Sequence, residues 1–474
     1  MMFKSFYKFY LICLIFSVQV VYGQSVKESV PTAFQQFVSS GKLPNGIASL
    51  TVLDGKTGQV LFEKNSTIGL STASTLKVIT SITALDILGA NYTYKTTLSY
   101  TGDIDSLGVL NGDIILTGTG DPTLGSDRYT STKEEVLLNK WVYKIKNAGI
   151  KQVNGRIIAD DLHWGGNTAP AGWAWEDLGN YYGAGVSGLN WRENKMGVVF
   201  RHWSIGQPAT IEKLVPNVAN AHIVNEVTTA SQGAGDNVYA FSAPYTELIY
   251  LRGSLGRDLK KTIEIAVPDP ALDAAHQLHQ ALISNEVWVD SLPTTGKRLM
   301  NTGEKIVHAR QDLDVHNSPP LHEIVYWFNQ KSVNLYGEAL LKTIGLLSHN
   351  KSDTRESGEL VAKYWEQKLK IPTSELRILD GSGLTAQNRI TTLAMSRIMH
   401  YAQSRPWFEI FHKSLPTING MSMKSGTIGG VLGYTGYHTT SKGEAVTFTL
   451  LVNNYVGTAS NMRQEMFKLL NTMK

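Results

Sequence analysis

The chain has 474 residues, 42% of them hydrophobic and 18% charged, the composition of a packed protein of two or three domains rather than a disordered chain. Its net charge of +4 is too small for a nucleic-acid footprint. The opening "MMFKSFYKFYLICLIFSVQVVYGQS" carries Lys4 and Lys8 ahead of an apolar run from Phe9 to Tyr22. That run is too short for a comfortable membrane span and reads as a secretory signal peptide, residues 1–23. Cleavage before Gln24 removes two lysines and no acid, which lowers the net charge from +4 to +2. The single cysteine, Cys13, goes with it, leaving no disulfide, thiolate or cysteine metal site. No second apolar stretch approaches 18 residues, so a periplasmic or secreted chain with no stable membrane span is expected.

Along the mature chain, "VPTAFQQFVSSG" predicts a first helix. Two apolar runs then flank Asp54-Gly55-Lys56-Thr57-Gly58, a glycine-rich hairpin turn. A second helix follows at "LSTASTLKVITSITALDIL", with Leu76, Ile79, Ile82 and Leu85 marking one face. From about residue 91 to 295, short β-like runs alternate with Gly, Asp and Pro turns, with one helix at "PALDAAHQLHQALIS". Five of the ten tryptophans fall between Trp164 and Trp203, which points to one or two nested, mostly β modules. Helical patterns return at "SPPLHEIVYWFNQKSVNLYGEALLKTIG" and "TTLAMSRIMHYAQS", then strands at "GVLGYTGYH" and "EAVTFTLLVNNY", then a helix from Ser460. The pattern suggests one α/β (α+β) domain, residues 24–90 and 296–474, split by an insertion over 91–295. Its outer module would take about 91–190 and 260–295, and its inner module about 191–259.

Three short motifs carry the chemistry. Ser-x-x-Lys occurs four times, at Ser5/Lys8, Ser39/Lys42, Ser74/Lys77 and Ser348/Lys351, so the spacing alone says little. Only Ser74 stands at the head of an apolar helix with a lysine one turn on. There the free N–H groups and the helix dipole favour negative charge on the serine oxygen, and a buried lysine can lose its proton and act as a base. Ser332-Val333-Asn334 puts a hydroxyl and a carboxamide two apart on a helix–loop edge. Lys424-Ser425-Gly426-Thr427 puts a cation, a hydroxyl and a glycine on a strand edge along which a peptide could lie. Read singly, each has a plainer explanation: a helix cap, a polar turn, a basic hairpin end.

Taken in order, Ser-x-x-Lys, Ser-x-Asn and Lys-(Thr/Ser)-Gly resemble the serine signature set of penicillin-binding proteins and serine β-lactamases. Ser332 lies 258 positions after Ser74 and Lys424 only 92 after Ser332. The long first gap resembles the D-alanyl-D-alanine carboxypeptidase/endopeptidase family, the class C low-molecular-mass penicillin-binding proteins. "GTGDPTL", "VPDPALDAA", "HNSPPL" and "LDGSGLT" look like the same family.

The resemblance implies a penicilloyl-serine-transferase (DD-peptidase/β-lactamase-like) domain with modules nested between the first and second motifs. It makes Ser74 the nucleophile, Lys77 the general base and Ser332 the proton relay to the leaving amine, with Asn334 on the substrate amide. Lys424, Ser425 and Thr427 would bind the terminal carboxylate, and the backbone N–H groups of Ser74 and Thr427 would form the oxyanion hole. Peptidoglycan stem peptides are the implied substrate and β-lactam antibiotics the inhibitors. In "WAWEDLGNYYG", Asp177 matches the family's acidic residue for a diaminopimelate amine, with Tyr182 as a wall beside it; loop packing is the plainer alternative. Val333 stands where Asp is frequent, and Ser425 where Thr is usual. His163 and His322 have no partner at ligand spacing, and no cofactor or metal is expected. Ser382 in "DGSGLT" has no lysine near it in sequence and reads as a turn close to the site. A β-lactamase-like hydrolase and a non-catalytic penicillin-binding scaffold are the alternatives.

Overall fold

The computed structural model describes residues 25–474 except 220, 308 and 351. Residues 1–23, read above as a signal peptide, lie outside the described residues. A six-stranded antiparallel sheet runs in the order Val60–Lys64, Ile47–Asp54, Ala445–Asn453, Val431–Thr439, Met421–Ile428, Thr417–Ile418. Strands from the two ends of the chain therefore lie side by side, with Ile47 opposite Asn453 and Asp54 opposite Val446. Period-two alternation sorts their side chains. Ala48, Leu50 and Val52 face a core shared with the helices Val26–Val38 and Ala459–Asn471. Ser49 and Thr51 point the other way and meet Thr392 at 2.7 and 2.9 Å.

That second face carries the helices that build the site. Helix Lys77–Leu88 buries every residue from Lys77 to Leu85. It is wrapped by Leu321–Lys331, Asn334–His349, Thr354–Leu369 and Thr392–Ala402. The single apolar face expected of it is corrected: Thr80, Ser81 and Thr83 are as buried as Ile79 and Ile82. Their hydroxyls are satisfied inside, as with Thr83 to the Ile79 carbonyl at 2.7 Å, so polar spacing does not mark an exposed side.

The inserted region holds four further sheets. One joins Lys95–Tyr100, Ile114–Gly118 and Ile157–Asp160 with Thr294–Thr295 and Gln311–Asn317. A division at residue 296 cuts through this sheet, because Gln311–Asn317 pairs antiparallel with Lys95–Tyr100. A four-stranded sheet of short strands lies beside it, and two three-stranded sheets span Lys195 to Ala266 around a core of their own. The reading of residues 91–295 with a single helix is also corrected. Glu134–Asn147 is helical, with Leu137, Trp141, Val142 and Ile145 buried and Trp141 stacked on Trp191 at 5.9 Å. Glu134 and Glu135 at its start and Lys144 and Lys146 at its end complement the helix dipole.

Candidate active site

Ser74 lies in a short 3-10 turn, Ala73–Leu76, and Lys77 is the first residue of the α-helix proper. The serine therefore does not cap the helix through its side chain; its half-buried hydroxyl faces Lys77 instead. Ala73 holds φ +45° to make this turn, a conformation costly for a residue with a Cβ. Lys77 Nζ has three partners: Ser74 Oγ at 2.9 Å, Asn334 Oδ1 at 2.7 Å and the Ser382 carbonyl at 2.7 Å. Two of these can only accept. A neutral amine offers two N–H donors and one lone pair, so it satisfies both acceptors and still takes the proton of Ser74. Burial, and then the charge of Lys424, hold this amine well below the usual lysine range. Three acceptors would suit an ammonium equally well, so it is burial that favours the neutral amine here.

The second motif breaks one helix from the next. Leu321–Lys331 ends at Ser332, which takes the left-handed conformation (φ 57°, ψ 38°), and Asn334 begins the following helix. The break aims the Ser332 hydroxyl at Lys424 Nζ, 3.1 Å away. Asn334 spans the site: its Oδ1 accepts from Lys77 and its Nδ2 donates to the Tyr182 carbonyl at 2.8 Å. Val333, the departure from the usual pattern, packs against the helical core, so no charged side chain is required there.

The third motif lies on the strand Met421–Ile428. Its partner on one side is Val431–Thr439; on the other, Thr417–Ile418 covers only Met421 and Ser422. The edge from Lys424 onward is left for a peptide to extend. Gly426 lets this edge approach the nucleophile: a Cβ there would sit 2.7 Å from the Thr72 carbonyl and 2.8 Å from the Ser74 nitrogen. Buried Lys424 also donates to the Ser425 carbonyl at 2.9 Å, and burial pushes its amine down to about 8. Ser425 is half-buried and Thr427 exposed.

Asp177 and Tyr182 lie on one loop, whose Tyr182 carbonyl meets Asn334. Asp177 is half-buried, and its carboxyl interacts with the Tyr182 hydroxyl; burial, only partly offset by that hydroxyl, holds the carboxyl above its usual range. Trp173, earlier on this loop, donates to Asp380 at 3.0 Å. His163 is exposed, and His322 meets the Ala90 carbonyl through Nδ1.

The fold gives Ser382 the lysine that sequence distance hid, since its carbonyl is a partner of Lys77. Behind it lie Asp380 and Glu338, both fully buried, which the motif search did not reach. An acid inside the apolar run "NLYGEALLK" was the available signal.

A family model, the D-Ala-D-Ala carboxypeptidase 3 (S13) family, matches residues 32–473. A D-alanyl-D-alanine carboxypeptidase of Actinomadura sp. (strain R39) is 26% identical over 449 residues, covering 88% of this chain and 79% of that one. The carboxypeptidase DacB of Haemophilus influenzae is 24% identical over 470 residues, covering 91% of each chain. The crystal structure of penicillin-binding protein 4 (dacB) from H. influenzae superposes with a TM-score of 0.76 at 21% identity, covering 92% of this chain and 97% of that one. The fold is the penicilloyl-serine-transferase fold expected from the motifs, and with nearly its whole length matched the chain belongs to the D-Ala-D-Ala carboxypeptidase 3 (S13) family.

Proposed function

We propose that the protein hydrolyses the D-Ala-D-Ala bond of peptidoglycan stem peptides through an acyl-enzyme on Ser74. The observation that carries the reading is the fully buried Lys77 amine placed 2.9 Å from Ser74 Oγ, where burial favours the neutral form that can take the Ser74 proton. Ser74 Oγ attacks the carbonyl carbon as its proton passes to Lys77. The backbone N–H groups of Ser74 and Thr427 stabilise the developing oxyanion. As the C–N bond breaks, a proton reaches the leaving D-Ala amine through Ser332, which is hydrogen-bonded to Lys424. Lys424, Ser425 and Thr427 hold the terminal carboxylate, and Asn334 orients the substrate amide. Water then attacks the ester, releasing the shortened peptide and restoring Ser74. Asp177, with Tyr182 beside it, receives the free amine of a diaminopimelate-type stem residue.

A penicillin presents the same carbonyl and carboxylate and is the expected inhibitor. One H. influenzae relative has been crystallised in complex with a β-lactam. Export by cleavage of residues 1–23 fits this substrate, and among the described residues no helix is long and apolar enough to cross a membrane. The division we favour takes the catalytic domain as residues 24–90 and about 318–474, keeping Gln311–Asn317 with the sheet it pairs into.

The test is intact mass of the protein over time after mixing with penicillin, beside Ser74→Ala. A single lasting adduct in wild type and none in the variant supports the proposal. An adduct that disappears while the drug is consumed favours a β-lactamase-like hydrolase. No adduct overturns the catalytic reading and leaves a scaffold.

A further inference from the structure

The turn Asp380–Gly383 reaches Lys77 through one backbone oxygen, and Asp380 and Gly381 anchor it with several hydrogen bonds. Asp380 accepts from four donors: the Gly383 and Thr385 amides at 2.8 and 2.7 Å, Asn388 Nδ2 at 2.8 Å and Trp173 Nε1 at 3.0 Å. Glu338 accepts the Gly381 amide with both oxygens, at 3.1 and 2.9 Å. The Gly381 carbonyl accepts from Thr80, on the Lys77 helix, at 2.7 Å. A Cβ on Gly381 would lie 2.1 Å from the Gly337 carbonyl, so the turn rests directly on the backbone of the Asn334 helix. With Asp380 and Gly381 anchored on both sides, the turn presents the Ser382 carbonyl to Lys77 at 2.7 Å, while the buried Ser382 hydroxyl has no hydrogen-bond partner of its own among the described residues.

We propose that Asp380 and Glu338 form a buried positioning pair for Lys77, holding the Ser382 carbonyl on its amine and sharing a single negative charge beneath it. This rests on the acyl-enzyme reading above. Asp380 accepts from four donors, the surroundings that suit a carboxylate. Glu338 has one backbone donor, the charge of Asp380 nearby and the Ser382 hydroxyl adjoining it, and is the member that keeps its proton. Burial, and then Asp380, push Glu338 up to about 8. The charged groups facing Lys77 are Lys424 on the edge strand, Asp380 on the turn and Glu338 on the helix behind. Lys424 favours the neutral amine and Asp380 the protonated one. The pair thus sets both where Lys77 points and the pH at which it becomes a base.

The experiment measures the acylation rate by penicillin against pH, with intact mass giving the fraction acylated and thermal melting checking the fold. Asp380→Asn is expected to lower the plateau rate at least about tenfold, because the turn loses its anchor. It also moves the acid limb to lower pH, because Lys77 loses a neighbouring negative charge. A purely structural role would reduce the fraction acylated without moving that limb. If Asp380→Asn does not melt cooperatively, Glu338 decides: Glu338→Ala should lose at least about tenfold and Glu338→Gln should recover most of it. Wild-type plateau and midpoint in Asp380→Asn, or wild-type rates in Glu338→Ala, overturn the proposal. A wild-type protein that forms no adduct at Ser74 overturns the catalytic reading together with it.

Discussion

Two buried lysines meet at Ser74 and Ser332, and the chemistry needs them in opposite charge states. In the proposed mechanism Lys77 is neutral to take a proton, while Lys424 is charged to hold a carboxylate. What separates them is electrostatic: burial, and then the Lys424 charge, push Lys77 well below the usual lysine range, while burial brings Lys424 down to about 8. Because Lys424 is pushed down to about 8, its cation is present below that pH and is lost as pH rises through it. Penicillin acylation by wild type should therefore decline above about pH 8. Lys424→Arg keeps its charge through this range, so its normalised profile should hold up on the alkaline side; an unchanged decline would assign the limb to another group. At Asp177 the expectation is one of preference. Asp177→Asn should cut kcat/KM about tenfold for peptides with a free diaminopimelate-type amine and leave simple acyl-D-Ala-D-Ala peptides alone. Equal losses on both would make the aspartate a loop-packing residue.

At the scale of elements, the approach of the edge strand to the nucleophile turn decides whether three motifs become one site. Gly426→Ala would place a methyl 2.7 Å from the Thr72 carbonyl. Neither backbone can yield cheaply, so the strand must move away, costing about 1–3 kcal/mol and slowing acylation by more than about tenfold. Thermal melting and adduct formation measure the two effects separately, and wild-type behaviour in both would deny the close approach. How far these elements were legible in sequence depended on what signals them. The strands Ala445–Asn453 and Val431–Thr439 announce themselves by apolar runs between glycine turns. Ser74, Lys77, Ser332, Asn334 and Lys424 could be picked out because their identities and order form a motif set. The all-round burial of residues 77–85 could not, because Thr80, Ser81 and Thr83 look like an exposed face until their internal acceptors are known. Glu134–Asn147 was hidden among turn-rich neighbours despite helical spacing of Leu137, Trp141 and Ile145. The turn at Ser382 was read as lying close to the site, but its contact with Lys77 was not legible, because it is made by a carbonyl oxygen, which every residue has.

For the molecule as a whole, the inserted sheets are tied to the catalytic helices through a small charged cluster. Arg192, Glu193 and Asn194 all hold positive φ near +54°, a turn that presents Glu193 inward. Its Oε1 accepts from Tyr336 at 2.8 Å, Ser126 at 2.9 Å and Arg128 at 2.6 Å. Tyr336 is two residues from Asn334, so the insert buttresses the helix that carries a site residue. Although burial raises Glu193, Arg128 and its other partners bring it below its ordinary 4.5. A depressed carboxyl stabilises the fold fully above its unfolded value, and that stability is lost as pH falls through the folded one. Glu193→Gln should lower the melting temperature at neutral pH, at a cost of about 1–3 kcal/mol. The gap to wild type should then close on acidification below about pH 4.5. A gap that persists in acid would remove Glu193 from the account.

The pairing of Ile47–Asp54 with Ala445–Asn453 bears on when the enzyme comes into being. Ser74 and Lys77 are made early, but the strand bearing Lys424 is held in place by strands from the last part of the chain. A nascent or partly threaded polypeptide thus has its nucleophile without its carboxylate clamp, and closing so distant a pair is a slow, late event in folding. Competence to react with penicillin should trail the recovery of helical circular dichroism on refolding. The drug then becomes a clock for the last step of assembly.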